Sequence, residues 1–139
     1  MADGPVPIRL DHCVIASSDL ARTDAFYRRM FRAEIDAPLE NMRQYRIGTQ
    51  LLSVHGPGLA EGAPAGLLAR VPVSPGGSDL CFEWCGSAAS LQRHMKACGV
   101  DAHVGPTARI GARGEGQSIY FRDPDGSLLE WIVYPTPAA

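Results

Sequence analysis

Glu130 stands in "SLLEWIVY" (127–134), among Leu128, Leu129, Trp131, Ile132 and Val133. A carboxylate in such surroundings is costly unless something positive compensates it. Other ionisable groups sit in similar company: His12 in "IRLDHCVIAS", His55 closing "QLLSVH", Asp79 and Glu83 in "DLCFEW". One imidazole with two carboxylates, or two imidazoles with one carboxylate, can bind a divalent metal and leave positions open for a substrate. A carboxylate whose pKa is raised by burial can also move a proton, and Glu130 and Glu83 are the candidates. Tyr45, Tyr120 and Arg122 are the side chains expected to hold a substrate. Plainer readings compete with these: Glu130 pairs with Arg46 or Arg122, His12 is a hydrogen-bonded core histidine, and His55 is simply exposed. His94 and His103 fall on a helix surface and a strand edge, where no chemistry is expected. No HExxH, CxxC, Ser-His-Asp or Cys-His arrangement is legible. Gly111, Gly114 and Gly116 do not follow a strand and open a helix, which excludes a phosphate-binding loop.

These groups can act together only if the elements carrying them bring them together. Residues 8–17 read as a strand. "SSDL" offers a helix start with Ser17 or Ser18 as N-cap, and Phe26, Tyr27, Met30 and Phe31 have helical spacing within Leu20–Phe31. A short strand near 33–35 and two antiparallel strands at 42–48 and 50–56 follow. Residues 56–78 are rich in Gly and Pro and read as a connection between two halves. The second half repeats the order. It has a strand at 79–86, a helix capped by Ser87 with Ala88, Leu91, Met95 and Cys98 on one face, and a stop at Gly99. Then come a strand at 100–105, a loop at 107–116, and a hairpin of 117–122 and 127–134 through Asp123-Pro124-Asp125-Gly126. The order strand, helix, strand, strand, strand occurs twice, which points to an internal duplication.

Alternation along each strand gives every strand two faces. One is apolar: Leu52, Val54, Phe82, Trp84, Ile119, Phe121, Leu129 and Val133 should pack under a helix. The other is mixed and carries His12, Ser53, His55, Asp79, Glu83, Tyr120 and Glu130. A sheet with helices on one side and ionisable groups on the other describes an α+β fold. Two βαβββ modules form a curved mixed sheet around a lined cavity, with helices on its outer face.

The 139 residues suffice for one domain: module one at about 8–56, a linker at about 57–77 and module two at about 78–135. With 45% hydrophobic and 20% charged residues and a formal charge of -2, nothing suggests nucleic-acid binding. No apolar stretch approaches the roughly 20 residues of a membrane span, and the N-terminus lacks signal-peptide character. A cytoplasmic location is expected, with Cys13, Cys81, Cys85 and Cys98 reduced and acting as small buried hydrophobes.

The stretch "LDHCVIASSDLARTDAFYRRMF" resembles the opening strand and helix of the vicinal oxygen chelate superfamily, and "SIYFRDPDGSLLEW" is similar to its closing hairpin. Between them, "PVSPGGSDLCFEW" and "ACGVDAHVGPTARIGARGEGQSIYFRDPDG" look like the glyoxalase domain-containing protein 5 group. The resemblance spans about residues 8–135. It implies paired βαβββ modules around a divalent metal, with ligands from the first and last strands of each module. On that pattern His12 matches the first histidine and Glu130 the last glutamate. Asp79 falls where most metal-binding members carry histidine. Ser53 falls where many carry Glu or Gln, and His55, two residues on, could replace it.

The resemblance implies a glyoxalase-like, divalent-metal-dependent enzyme of lyase, isomerase or dioxygenase type acting on a small oxygen-rich substrate. Its metal would be Mn, Zn, Fe, Ni or Mg, held by His12, Asp79, Glu130 and His55. It also implies a homodimer, with modules pairing between chains in some members. The competing function is a metal-free protein that binds or sequesters a small molecule, of the bleomycin-resistance type, with Trp84 or Tyr45 near the rim of the cavity.

Overall fold

The computed structural model describes residues 4–136. Its strands form two four-stranded mixed sheets, ordered β1-β4-β3-β2 and β5-β8-β7-β6. The first sheet comprises β1 (Cys13–Ala16), β2 (Glu34–Leu39), β3 (Met42–Ile47) and β4 (Gln50–His55). The second comprises β5 (Asp79–Glu83), β6 (Val104–Gly111), β7 (Gly114–Arg122) and β8 (Leu128–Val133). In each module the first strand pairs parallel with the last, β1 with β4 and β5 with β8, and the other pairs are antiparallel. A parallel pair needs a crossover, and the helices α1 (Leu20–Phe31) and α3 (Ala88–Cys98) begin it in each module.

The helix α1 covers the expected residues, but its N-cap is Asp19, whose side chain accepts from the Arg22 amide. The two serines expected in that role are engaged elsewhere: Ser17 with Thr23, Ser18 with Asp125. Ser87 caps α3, and Gly99 ends it in the left-handed conformation that favours glycine. The Gly- and Pro-rich connection holds a short helix α2 (Leu59–Gly62) and one 3-10 turn, with no buried residue in either.

Residues 107–116 are not a loop. The chain pairs from Val104 to Gly111, turns at Ala112-Arg113 and returns from Gly114. Gly114, the residue that follows the turn, has φ of 101°, a positive value that favours glycine. The glycines that read as loop signals are turn and close-packing positions within strands. A Cβ at Gly116 would lie 2.8 Å from the Ile132 side chain. Conversely, 100–103 is not strand, and His103 precedes β6.

One core serves both sheets. Tyr27 of α1 packs on Tyr45 of the first sheet at 5.2 Å between ring centroids. Phe31, one turn later, packs on Phe82 and Trp131 of the second at 4.4 and 5.1 Å. Leu52, Val54, Phe121 and Leu129 are buried, and Phe82, Trp84, Ile119 and Val133 are half-buried against the same core, so the face assignment stands. Because the apolar faces of both sheets meet one helical layer, both mixed faces are turned away from it. Cys98 is buried, but Cys81 and Cys85 are exposed, contrary to the burial expected of them, because β5 is an edge strand and Cys81 points to its mixed face. Among the described residues no helix is long and apolar enough to cross a membrane.

Candidate functional site

The densest chemistry lies on the mixed face of the second sheet. Leu129 and Trp131 are in the core, so alternation turns Glu130 to the opposite side, where it is half-buried. Strand register sets Cys81 of β5 and Tyr120 of β7 on either side of it. The Ser118 hydroxyl, fully buried, donates to Glu130 Oε2 at 2.5 Å. That answers what compensates the carboxylate: a hydroxyl and a neighbouring thiol rather than a histidine, Arg46 or Arg122. Arg122 instead donates to the Gly126 carbonyl oxygen.

Although the residue reaches the surface, the sheet around it partly desolvates the Cys81 sulfur, and this, followed by the adjacent Glu130 carboxylate, pushes the thiol up to about 12. Cys81 is therefore a neutral thiol near pH 7 and not a thiolate nucleophile.

Tyr120 keeps the expected place beside Glu130. Arg109 Nε donates to its hydroxyl oxygen at 2.9 Å, which leaves the hydroxyl proton free. Arg109 escapes a sequence reading because it falls in the stretch that reads as loop; its signal is the alternation of Thr107 and Arg109 on β6. Arg113, from the same stretch, donates to both oxygens of Glu83 at 3.2 and 3.1 Å. That ion pair commits the second proton-transfer candidate to a structural partner.

Tyr45 requires a correction. It is fully buried, on the helix-facing side of β3, and its hydroxyl donates to Asp24 at 2.6 Å. It cannot meet a substrate, because its place in the strand alternation is that of Leu52, its partner on β4. Trp84 is likewise inside the fold, stacked on His94 and bonded to Ser90.

His12 lies just before β1, with Nδ1 2.7 Å from Asp11 and its side chain 44% exposed. His55 lies at the end of β4 on the mixed face of the first sheet, where burial lowers its pKa. Asp79 is exposed at the start of β5. Among the described residues no three His, Cys, Asp or Glu side chains converge as a metal site would need. The shared helical layer explains this: His12 and His55 belong to one outward face, Asp79 and Glu130 to the other. Both faces are open, and β2 and β6, the outer edges, expose Leu39, Val104 and Ile110.

Comparison with known proteins agrees with this architecture. The family Glyoxalase/Bleomycin resistance protein/Dioxygenase superfamily matches residues 9–131. The chain is 35% identical over 125 residues to the glyoxalase domain-containing protein RDO1 of Mycosarcoma maydis, covering 90% of this chain and 68% of that one. It is 34% identical over 126 residues to the virulence protein STM3117 of Salmonella typhimurium, covering 91% and 84%. The crystal structure of STM3117 superposes with a TM-score of 0.80 over 94% of this chain and 99% of that one, at 31% identity. The fosfomycin resistance protein FosX of Listeria monocytogenes, crystallised as a point mutant with Mn(II) and 1S,2S-dihydroxypropylphosphonic acid, shares the fold. Its TM-score is 0.58 over 95% of this chain and 90% of that one, at 23% identity.

Proposed function

The chain belongs to the Glyoxalase/Bleomycin resistance protein/Dioxygenase superfamily, and from that premise we propose that it is a glyoxalase-like enzyme for a small, oxygen-rich substrate bound on the mixed face of the second sheet. The observation that carries the reading is Glu130: a half-buried carboxylate, oriented by Ser118, in no ion pair among the described residues.

The donor chemistry of Glu130, Asp79 and His12 fits a divalent ion with oxygen and nitrogen ligands, such as Mn, Zn, Fe, Ni or Mg. One chain does not gather them, so the reading requires a homodimer in which His12 of one copy meets Asp79 and Glu130 of the other; His55, paired with Ala16 at the far end of β1, is not beside His12. The open faces and unpaired β2 and β6 edges support such an assembly. A divalent ion held by these residues would supply Lewis acidity to the substrate. The remaining chemistry belongs to the chain. Glu130, held by Ser118, accepts a proton from the substrate. Tyr120, whose oxygen is satisfied by Arg109, donates its hydroxyl proton to a substrate oxygen. The second copy closes the face against water.

Metal titration with each of the five ions, read by calorimetry, tests the reading alongside light scattering. Glu130→Gln preserves the shape and removes the charge, so at least about tenfold of metal affinity should disappear with little change in stability. His12→Ala should do the same in the dimer. A parent protein that binds none of these ions, or that scatters as a monomer at micromolar concentration, overturns the metal reading and leaves the metal-free sequestering protein in its place.

A further inference from the structure

The charge of the chain is -2, yet the C-terminal turn of α1 gathers Arg28, Arg29 and Arg32 at one cleft. The cleft, about 520 Å³, lies between α1 and α3 and is completed by His94, Ala97 and Cys98. None of these residues is on either mixed face, so the cleft stands apart from the metal reading. Among the described residues, none of the three guanidinium groups pairs with a carboxylate. Arg29 lies over the Phe26 ring, 5.9 Å from its centroid.

A plain explanation is that basic residues offset the negative end of the helix dipole. It does not account for two features. Arg28 and Arg32 are four residues apart, where like charges repel. Arg32, moreover, is the C-cap, at φ 54° and ψ 35°, in the left-handed region that favours glycine. It is the one non-glycine residue with positive φ among those described. Local stability calls for glycine at 32, and the sequence carries there an arginine that also repels Arg28. Violations of local rules that cluster in one place are the signature of a binding role.

The surroundings are prepared for an anion. The last carbonyl groups of α1 would repel one, but His94 Nε2 donates to the Met30 carbonyl oxygen at 2.6 Å, and the Cys98 thiol donates to that of Arg29 at 3.5 Å. Trp84 stacks on His94 and holds its ring in place. The negative end of the helix is thereby covered, and what remains at the cleft is guanidinium. Arginine's planar fork matches phosphoryl oxygens better than a single carboxylate, and three forks suit a multiply charged anion. A cleft of this size, with no basic run beyond it, excludes an extended nucleic acid.

We infer that the cleft between α1 and α3 binds a phosphoryl anion, through Arg28, Arg29 and Arg32, at a place separate from the Glu130 face. The source is either inorganic phosphate or a small phosphorylated molecule. Sodium pyrophosphate and glucose 6-phosphate are titrated against the whole chain, with sodium chloride at matched ionic strength as reference. Melting temperature and calorimetry are the readouts. At a hundredfold excess over Kd, pyrophosphate should raise the melting temperature by roughly 5–10 °C. Tighter binding of glucose 6-phosphate would identify a phosphorylated molecule as the source, and tighter binding of pyrophosphate an inorganic one. Arg32→Gly should melt higher than the parent without anion, because the strain is gone, yet lose at least about tenfold of anion affinity. Arg28→Gln should lose as much, whereas Arg70→Gln, on the distant connection, should bind as the parent does. A parent response no larger than that to chloride overturns the inference, and so does parental affinity in both Arg28→Gln and Arg32→Gly.

Discussion

The first module carries its aromatic side chains mainly on its helix, with Phe26, Tyr27 and Phe31 on α1, and among the described residues Tyr45 is the aromatic that its sheet adds to an otherwise aliphatic contribution of Ile15, Leu52 and Val54. The second does the reverse. Its helix α3 buries Leu91, Met95 and Cys98, while Phe82, Trp84, Phe121 and Trp131 come from its sheet. Phe31 is the point of contact, inserted among three of those rings. The mixed faces differ as well. That of the first module offers His55 beside Val14, Ala16 and Ser53, and that of the second offers Asp79, Cys81, Tyr120 and Glu130. Two modules of one topology therefore divide the work: the helix of the first organises packing for both, and the sheet of the second carries the acids. Stability and chemistry should be separable by mutation.

The largest expected effect tests the packing half of that division. Phe31→Ala removes a ring that meets both modules and should cost about 3–5 kcal/mol in urea unfolding. Leu91→Ala on α3 leaves a smaller cavity at one sheet and should cost about 2–3 kcal/mol. Equal losses would mean that α1 has no special place in the core.

A second prediction concerns the seam. Asp125, in the turn of the second module, accepts from the Ser18 amide at 3.1 Å, from the Ser18 hydroxyl, and from Arg22 at 3.1 Å. Its side chain is only 6% exposed, against 51% for Arg22. Asp125→Ala removes three bonds to a nearly buried carboxylate and should cost about 1.5–3 kcal/mol. Arg22→Ala removes only an exposed cation and should cost under about 1 kcal/mol. If the two variants are alike, the seam is held by the ion pair rather than by the cap-like bonds to Ser18.

Much of this division is legible in the sequence. Alternation in "LLEWIV" places Leu129 and Trp131 inside and Glu130 outside, because a period of two leaves no other choice for a strand with one buried face. The helices are legible because Phe26, Tyr27, Met30 and Phe31 share a face. The β6–β7 hairpin is not, because its glycines serve close packing, and glycine reads locally as a break. Arg109 and Arg113 are lost with it. Tyr45 misleads because a tyrosine's hydroxyl suggests a polar site, whereas its strand position belongs to the core and Asp24 satisfies the hydroxyl. What sequence alone does not supply is the stacking of the modules. Local patterning says which face of each sheet is apolar, but not that both apolar faces share α1. That sharing separates His12 from Glu130.

The smallest expected effect contrasts two carboxylates of the second module. Glu130 lies on the open face, whereas Asp123 lies at the seam, buried under the helical layer. Burial raises the pKa of Asp123, opposed by bonds from the Ser127 amide at 3.0 Å, the Tyr27 hydroxyl at 3.2 Å and the Asp125 amide at 3.0 Å. A folded-state pKa above the unfolded value means that the folded chain holds its proton longer. The stability this brings is complete below the usual carboxylate pKa and is lost as pH rises through the raised one. Asp123→Asn cannot titrate. It keeps an amide oxygen for the two backbone donors, and the parent's stability relative to it should be greatest at the lowest pH, where the largest fraction of Asp123 is protonated. As pH rises toward 7 the parent alone bears the cost of a buried charge, so the gap between the two should narrow, by less than about 1 kcal/mol. Urea unfolding at pH 4, 5, 6 and 7 measures the gap directly. A gap that widens with pH would show that the three hydrogen bonds outweigh burial, making Asp123 a carboxylate the seam needs charged.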